Sequence, residues 1–173
     1  METGGTPMIL KPFLLGLAVL ALAALPLRAQ TPQAEQFIAE ASVSNMFAVE
    51  AGTLALQKSN STEIKTFAHQ AVNDRTTLGT GLRQILAKRS GISAPDMPDE
   101  KRLAVLRDLG NLQGAEFDRA YVLAQQKANE ETEAMFAAYA QSGSDEELKS
   151  FASKALPMLQ DYAKQAKKLP STN

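Results

Sequence analysis

The chain has no cysteine, no tryptophan and a single histidine, His69, in 173 residues. Without cysteine there is no thiolate nucleophile, no disulfide and no acylated lipoprotein N-terminus, so an exported form must be stable without cross-links. One histidine leaves none available for a serine triad or a zinc site. No Gly-rich phosphate loop is present either, since "GTGLRQ" at 79–84 continues a helical stripe. Strand-like alternation and Val/Ile/Thr-rich runs are also missing. Finally, there is no basic excess: 18 Lys and Arg face 19 Asp and Glu, and the one basic cluster is the short "KQAKK" near the C-terminus. That balance excludes a nucleic-acid footprint.

What is there begins with an address. After Lys11 comes an uncharged run of 16 residues from Pro12 to Leu27, ending in Leu27-Arg28-Ala29. This is the layout of a secretory signal peptide, too short and too proline-bearing for a membrane span of about 20 apolar residues. Residues 1–29 are therefore expected to be a signal peptide and 30–173 a single helical domain, periplasmic or secreted, with no transmembrane span after cleavage. Met8, just before "ILKPFLL", is an alternative start. Removing Glu2, Lys11 and Arg28 leaves 16 basic and 18 acidic side chains in the mature chain.

Helical periodicity accounts for the rest. Four long helices are expected at about 33–58, 61–90, 113–141 and 145–169, with a short helix at about 99–109 in the Pro-containing linker that follows Gly91. Thr31 is the expected N-cap of the first, with Pro32 at its first position. "NSTE" opens the second with Asn60 as cap and Glu63 reaching back, and "SDEE" opens the last with Ser144 as cap and Glu147 reaching back. Pro157 lies inside the last helix, where it should kink but not break it. Short turns join the first pair and the last pair, whereas a long crossover separates the second from the third. The expected fold is all-α, a ferritin-like four-helix bundle whose crossover contains the short helix.

Four polar residues fall on, or at the edge of, the apolar stripes. In the second helix Ile64, Phe67, Ala68, Ala71, Leu78, Leu82 and Ile85 share a face with Arg75 at its centre, while His69 lies opposite with Lys65 and Asn73. In the first, Glu50 shares a stripe with Val43, Phe47 and Leu54. In the third, Asn129 borders the stripe of Phe117, Tyr121 and Met135, and in the fourth Tyr162 lies with Leu148, Leu159 and Ala166. Glu50, Arg75, Asn129 and Tyr162 are thus an expected inward cluster. They form either a binding site or a polar layer that fixes helix register, with Glu50 and Arg75 as a buried ion pair.

"FIAEASVSNMFAVEAGTLAL", "EIKTFAHQAVNDRTTL", "FDRAYV" and "GSDEELKSFASKALPML", with the Pro-linked crossover, resemble the domain of unknown function 4142 family over about residues 34–169. That resemblance implies an exported, ferritin-like bacterial protein, of a kind often labelled outer-membrane or periplasmic. It also implies a glutamate in the first helix, here Glu50, and histidines at positions that here hold Arg75, Asn129 and Tyr162. A metal-carrying bundle needs carboxylates and histidines from several helices, and Arg75 would put a permanent positive charge where the cation sits. Glu130, Glu131 and Glu133 read as a solvated charge run.

No catalytic, cofactor-binding or metal-ligating residue is therefore expected. The favoured function is a non-enzymatic exported module that binds a protein or envelope component or serves a stress role. The alternative is a ferritin-like metal-binding or redox protein of the cell envelope.

Overall fold

The structure, a computed structural model, describes Met1 and residues 30–170, with side chains from Gln33 onward. The expected signal peptide, residues 1–29, lies outside the described residues. Five helices follow in order: α1 Gln30–Lys58, α2 Thr62–Leu86, α3 Glu100–Asn111, α4 Gly114–Ser142 and α5 Glu146–Ala166. The four long ones match the expected helices closely.

The differences lie at the ends. Helix α1 begins at Gln30, so Thr31 sits within it and is not its N-cap. Pro32 is tolerated there because the first turn's N–H groups have no intrahelical partner. The cap of α2 is Ser61, not Asn60: its side chain accepts from Ile64 N at 3.3 Å and donates to Glu63 Oε2 at 2.9 Å. Helix α2 stops at Leu86, four residues short of the expected end, and the chain turns at Gly91, whose φ of 79° favours glycine. Asp145, not Ser144, caps α5 through Leu148 N at 2.9 Å. That helix runs through Pro157 unbroken to Ala166.

Helices α1 and α2 form one antiparallel hairpin and α4 and α5 another. Helix α1 packs on α4, and α2 on α5. Phe37 of α1 stacks on Tyr139 near the end of α4, with ring centroids 4.0 Å apart. At the other end Lys58 reaches the carbonyl of Leu112, just before α4 begins, at 3.2 Å. The two helices therefore run antiparallel, which makes α2 and α4 the parallel pair that a long crossover allows. Within that crossover α3 lies against α1 and α4, burying Leu106 and Leu109.

The α1–α2 seam is rich in small residues: Ala51 and Ala55 share a core cluster with Ala68 and Ala71, and Gly52 lies against Ala68 and Val72. A Cβ at Gly52 would come within 2.8 Å of Val72 Cγ2 and 3.3 Å of the Ala68 carbonyl. Valine is stiff at χ1 and the carbonyl belongs to a packed helix, so neither yields readily. Overpacking of about 1–3 kcal/mol thus exceeds the gain of up to about 1 kcal/mol in helix propensity. Gly52→Ala should destabilise the fold by about 1 kcal/mol in urea unfolding, and a stabilised variant would refute the close seam.

Candidate functional site

The centre of the bundle is polar, and Arg75 is its charge. The stripe that buries Ile64, Phe67, Ala71, Leu78 and Leu82 carries Arg75 inward with them, to 2 % exposure. Its Nη2 donates to Asn129 Oδ1 at 2.8 Å. Asn129 in turn donates from Nδ2 to the Gln125 carbonyl at 2.9 Å and to Gln125 Oε1 at 3.1 Å. One helical turn separates these two residues of α4, so they stack along one buried file.

From α5, Tyr162 closes the other side. The guanidinium carbon lies 5.7 Å from its ring centroid, within cation–π range. Its hydroxyl donates to Asp74 Oδ2 at 2.7 Å. Both burial and this neighbouring carboxylate push the Tyr162 hydroxyl well above the usual phenol range, because each disfavours the phenolate. It acts as a neutral donor.

No carboxylate lies within 4 Å of Arg75 among the described residues. Burial lowers its pKa to about 10, against weaker opposing effects of Tyr162 and Asp74. The group still carries its charge at neutral pH. Its Nη1 has no hydrogen-bond partner, nor has either amide atom of Asn45 on α1, which is 4 % exposed, nor Gln125 Nε2. Native proteins leave few buried polar atoms unpaired, so a cluster of them around one cation marks a special place.

Three of the four expected inward residues meet here: Arg75 with Asn129 directly, and with Tyr162 through its ring. Glu50 does not, because it is exposed. The expected Glu50–Arg75 ion pair is therefore incorrect. The stripe does turn inward at Val43 and Phe47, but by Glu50 and the half-buried Leu54 it has drifted toward solvent, and the buried line of α1 continues instead through Ala48, Ala51 and Ala55. His69 is exposed, as its helical phase requires. Asn45, Gln125 and Asp74 escaped the sequence reading. The first two had a usable signal: each is an uncharged polar residue at core spacing, Asn45 four residues beyond Ala41 and Gln125 four before Asn129.

As a metal centre this donor set does not fit. Guanidinium offers no lone pair and repels cations, and the one carboxylate beside it, Asp74, already accepts from Tyr162. Glu130 pairs with Lys167 at 2.7 Å and Glu131 faces Lys101 at 3.8 Å, so both belong to the solvated surface. Among the described residues no group of three His, Cys, Asp or Glu side chains could hold a metal ion. No helix among them is long and apolar enough to cross a membrane.

A cavity of about 730 Å³ adjoins this centre, between α1, α2 and the crossover. Arg75 and Asn45 border it, as do Met46, Val49, Leu82 and Leu86, and residues Ala94–Asp96 of the crossover wall its far side.

Comparison with curated proteins finds no match. Among solved structures the chain is similar to one described as "CopM in the Cu(II)-bound form", at 16 % identity and a TM-score of 0.65, covering 78 % of this chain and 93 % of that one. Such a likeness establishes a common helical fold. The sequence itself goes further: residues 21–169 match the family described as "Domain of unknown function (DUF4142)", and the chain belongs to that family.

Proposed function

We propose that this protein is an exported, non-catalytic helical-bundle module that works by binding, with a guanidinium at the centre where a ferritin-like bundle would carry a metal. The observation behind this reading is Arg75, 2 % exposed, charged and held by Asn129 at 2.8 Å. A fixed cation with unpaired donors beside it is suited to an anionic or polar ligand. Export is supported by the signal-like run at 12–27 and by a fold that needs no cysteine. The site also lacks an imidazole or thiol to act as nucleophile or base, since His69 is exposed and distant in helical phase.

The competing reading is a metal-binding or redox bundle, and it draws on the copper-bound state of the solved relative. The side chains at this bundle's own centre oppose it. Elemental analysis of the purified protein after incubation with Cu(II), Fe(II) or Mn(II) and desalting discriminates between the two. Substoichiometric metal is the expected result. One tightly held equivalent per chain would overturn the non-metal reading.

A further inference from the structure

We propose that the cavity between α1, α2 and the crossover binds an amphiphilic monocarboxylate, its head group held by Arg75 and Asn45 and its apolar body lying along Met46, Val49, Leu82 and Leu86. This identifies a ligand class for the binding module inferred above and rests on that reading. Three observations converge on it. The cavity, at about 730 Å³, has the size of a small-molecule site, typically 300–1,000 Å³. Its walls are mainly aliphatic, from the α1 and α2 side chains together with Ala94 and Pro95. Two of the side chains that line it, 2 % and 4 % exposed, carry donors with no protein partner, Arg75 Nη1 and Asn45 Nδ2, and both atoms are covered until a side-chain rotation turns them toward the space.

Charge selects the ligand. A buried cation with no carboxylate within 4 Å calls for one negative charge, and two donors suit the two oxygens of a carboxylate. A phosphate dianion would need more donors and more positive charge. Asp96 on the lining opposes a polyanion, while Arg83 is the second basic residue there. The aliphatic walls in turn favour a ligand with an alkyl or similarly apolar body over a small hydrophilic acid.

Octanoate is the probe, titrated calorimetrically into the full mature chain with 1-octanol and inorganic phosphate as controls. Saturable binding of one octanoate is expected, with weaker binding of both controls. Arg75→Met should weaken octanoate by about 10- to 100-fold, the loss of a charge-assisted contact. Gly79→Leu supplies a second arm that leaves the polar centre intact. Gly79 lines the cavity, and a Cβ there meets only Arg83 Nη1, at an ordinary 3.6 Å. Leucine is also a better helix former than glycine, so this variant should stay folded by circular dichroism while its side chain takes up part of the cavity where the apolar body would lie and weakens binding.

The proposal fails if octanoate does not bind the wild type, if 1-octanol or phosphate binds as tightly, or if either variant binds octanoate normally. The metal measurement on the same preparation is separate: a bound metal would sink the non-metal reading, whereas an octanoate failure with no metal would sink only this ligand.

Discussion

Replacing Arg75 and its partner together, as Arg75→Met with Asn129→Leu, should raise stability by about 1–4 kcal/mol, the range found when buried charged clusters give way to apolar side chains of similar volume. The gain arises because Arg75 is charged, almost fully buried and without a carboxylate partner, and burial pulls its pKa down from the ordinary guanidinium range to about 10. A base whose folded pKa is depressed is destabilising wherever it is charged in both states. That penalty is about 3 kcal/mol at neutral pH. It is present in full below pH 10 and is relieved as pH rises from about 10 toward the ordinary guanidinium pKa. The double replacement matters, because Arg75→Met alone would leave Asn129 Oδ1 buried and unpaired; removing Asn129 frees Gln125 Oε1 in turn, which holds the gain to the lower part of that range. Urea denaturation at pH 7 reads the effect. A double variant less stable than the wild type would mean that Arg75 is compensated by contacts other than those described.

Asp145→Ala should act in the opposite direction, costing about 2 kcal/mol. Asp145 has two structural duties: it caps α5 through Leu148 N at 2.9 Å, and it holds Arg89 bidentately at 2.7 and 2.8 Å. The cap contributes about 1 kcal/mol and a partly buried bidentate pair about 1 kcal/mol more. Arg89 also reaches Glu147 at 3.1 Å, so this one guanidinium ties the segment after α2 to the start of α5.

Hydrogen bonds from Arg89 hold both carboxyl groups below their ordinary pKa values. Their stabilisation is therefore present above the ordinary carboxylate pKa and is lost as pH falls through the lowered one. Melting temperatures of wild type and Asp145→Ala should differ at pH 7 and converge in acid. An undiminished difference at low pH would assign the effect to helix propensity and not to the ionised carboxylate.

The helices were legible because their stripes are long and regular: Ile64 to Leu82 in α2 and Leu148 to Ala166 in α5 are buried where periodicity put them. The caps were less so, since Asn60, Ser61, Ser144 and Asp145 are all competent capping residues and local geometry chooses between neighbours. At the centre, phase alone found Arg75, Asn129 and Tyr162. It failed for Glu50 because α1 is rich in alanine, and a helix with small residues on several faces has a weakly defined inside. Pairings across helices, such as Tyr162 with Asp74, depend on how far each helix is shifted along its neighbour, and a single-helix pattern does not contain that quantity.

The small-residue seam between α1 and α2 has a consequence for how the molecule opens. The helices approach one another more closely within each hairpin than between hairpins, and the apolar contact between the two halves is interrupted around Arg75, Asn129 and Gln125, where several polar atoms have no partner. Local opening in proteins follows the weakest cohesive surface. Here that surface runs between the halves, so each hairpin should survive as a cooperative unit when they part. Parting would bring water to the central cation, with most helical backbone hydrogen bonds still in place.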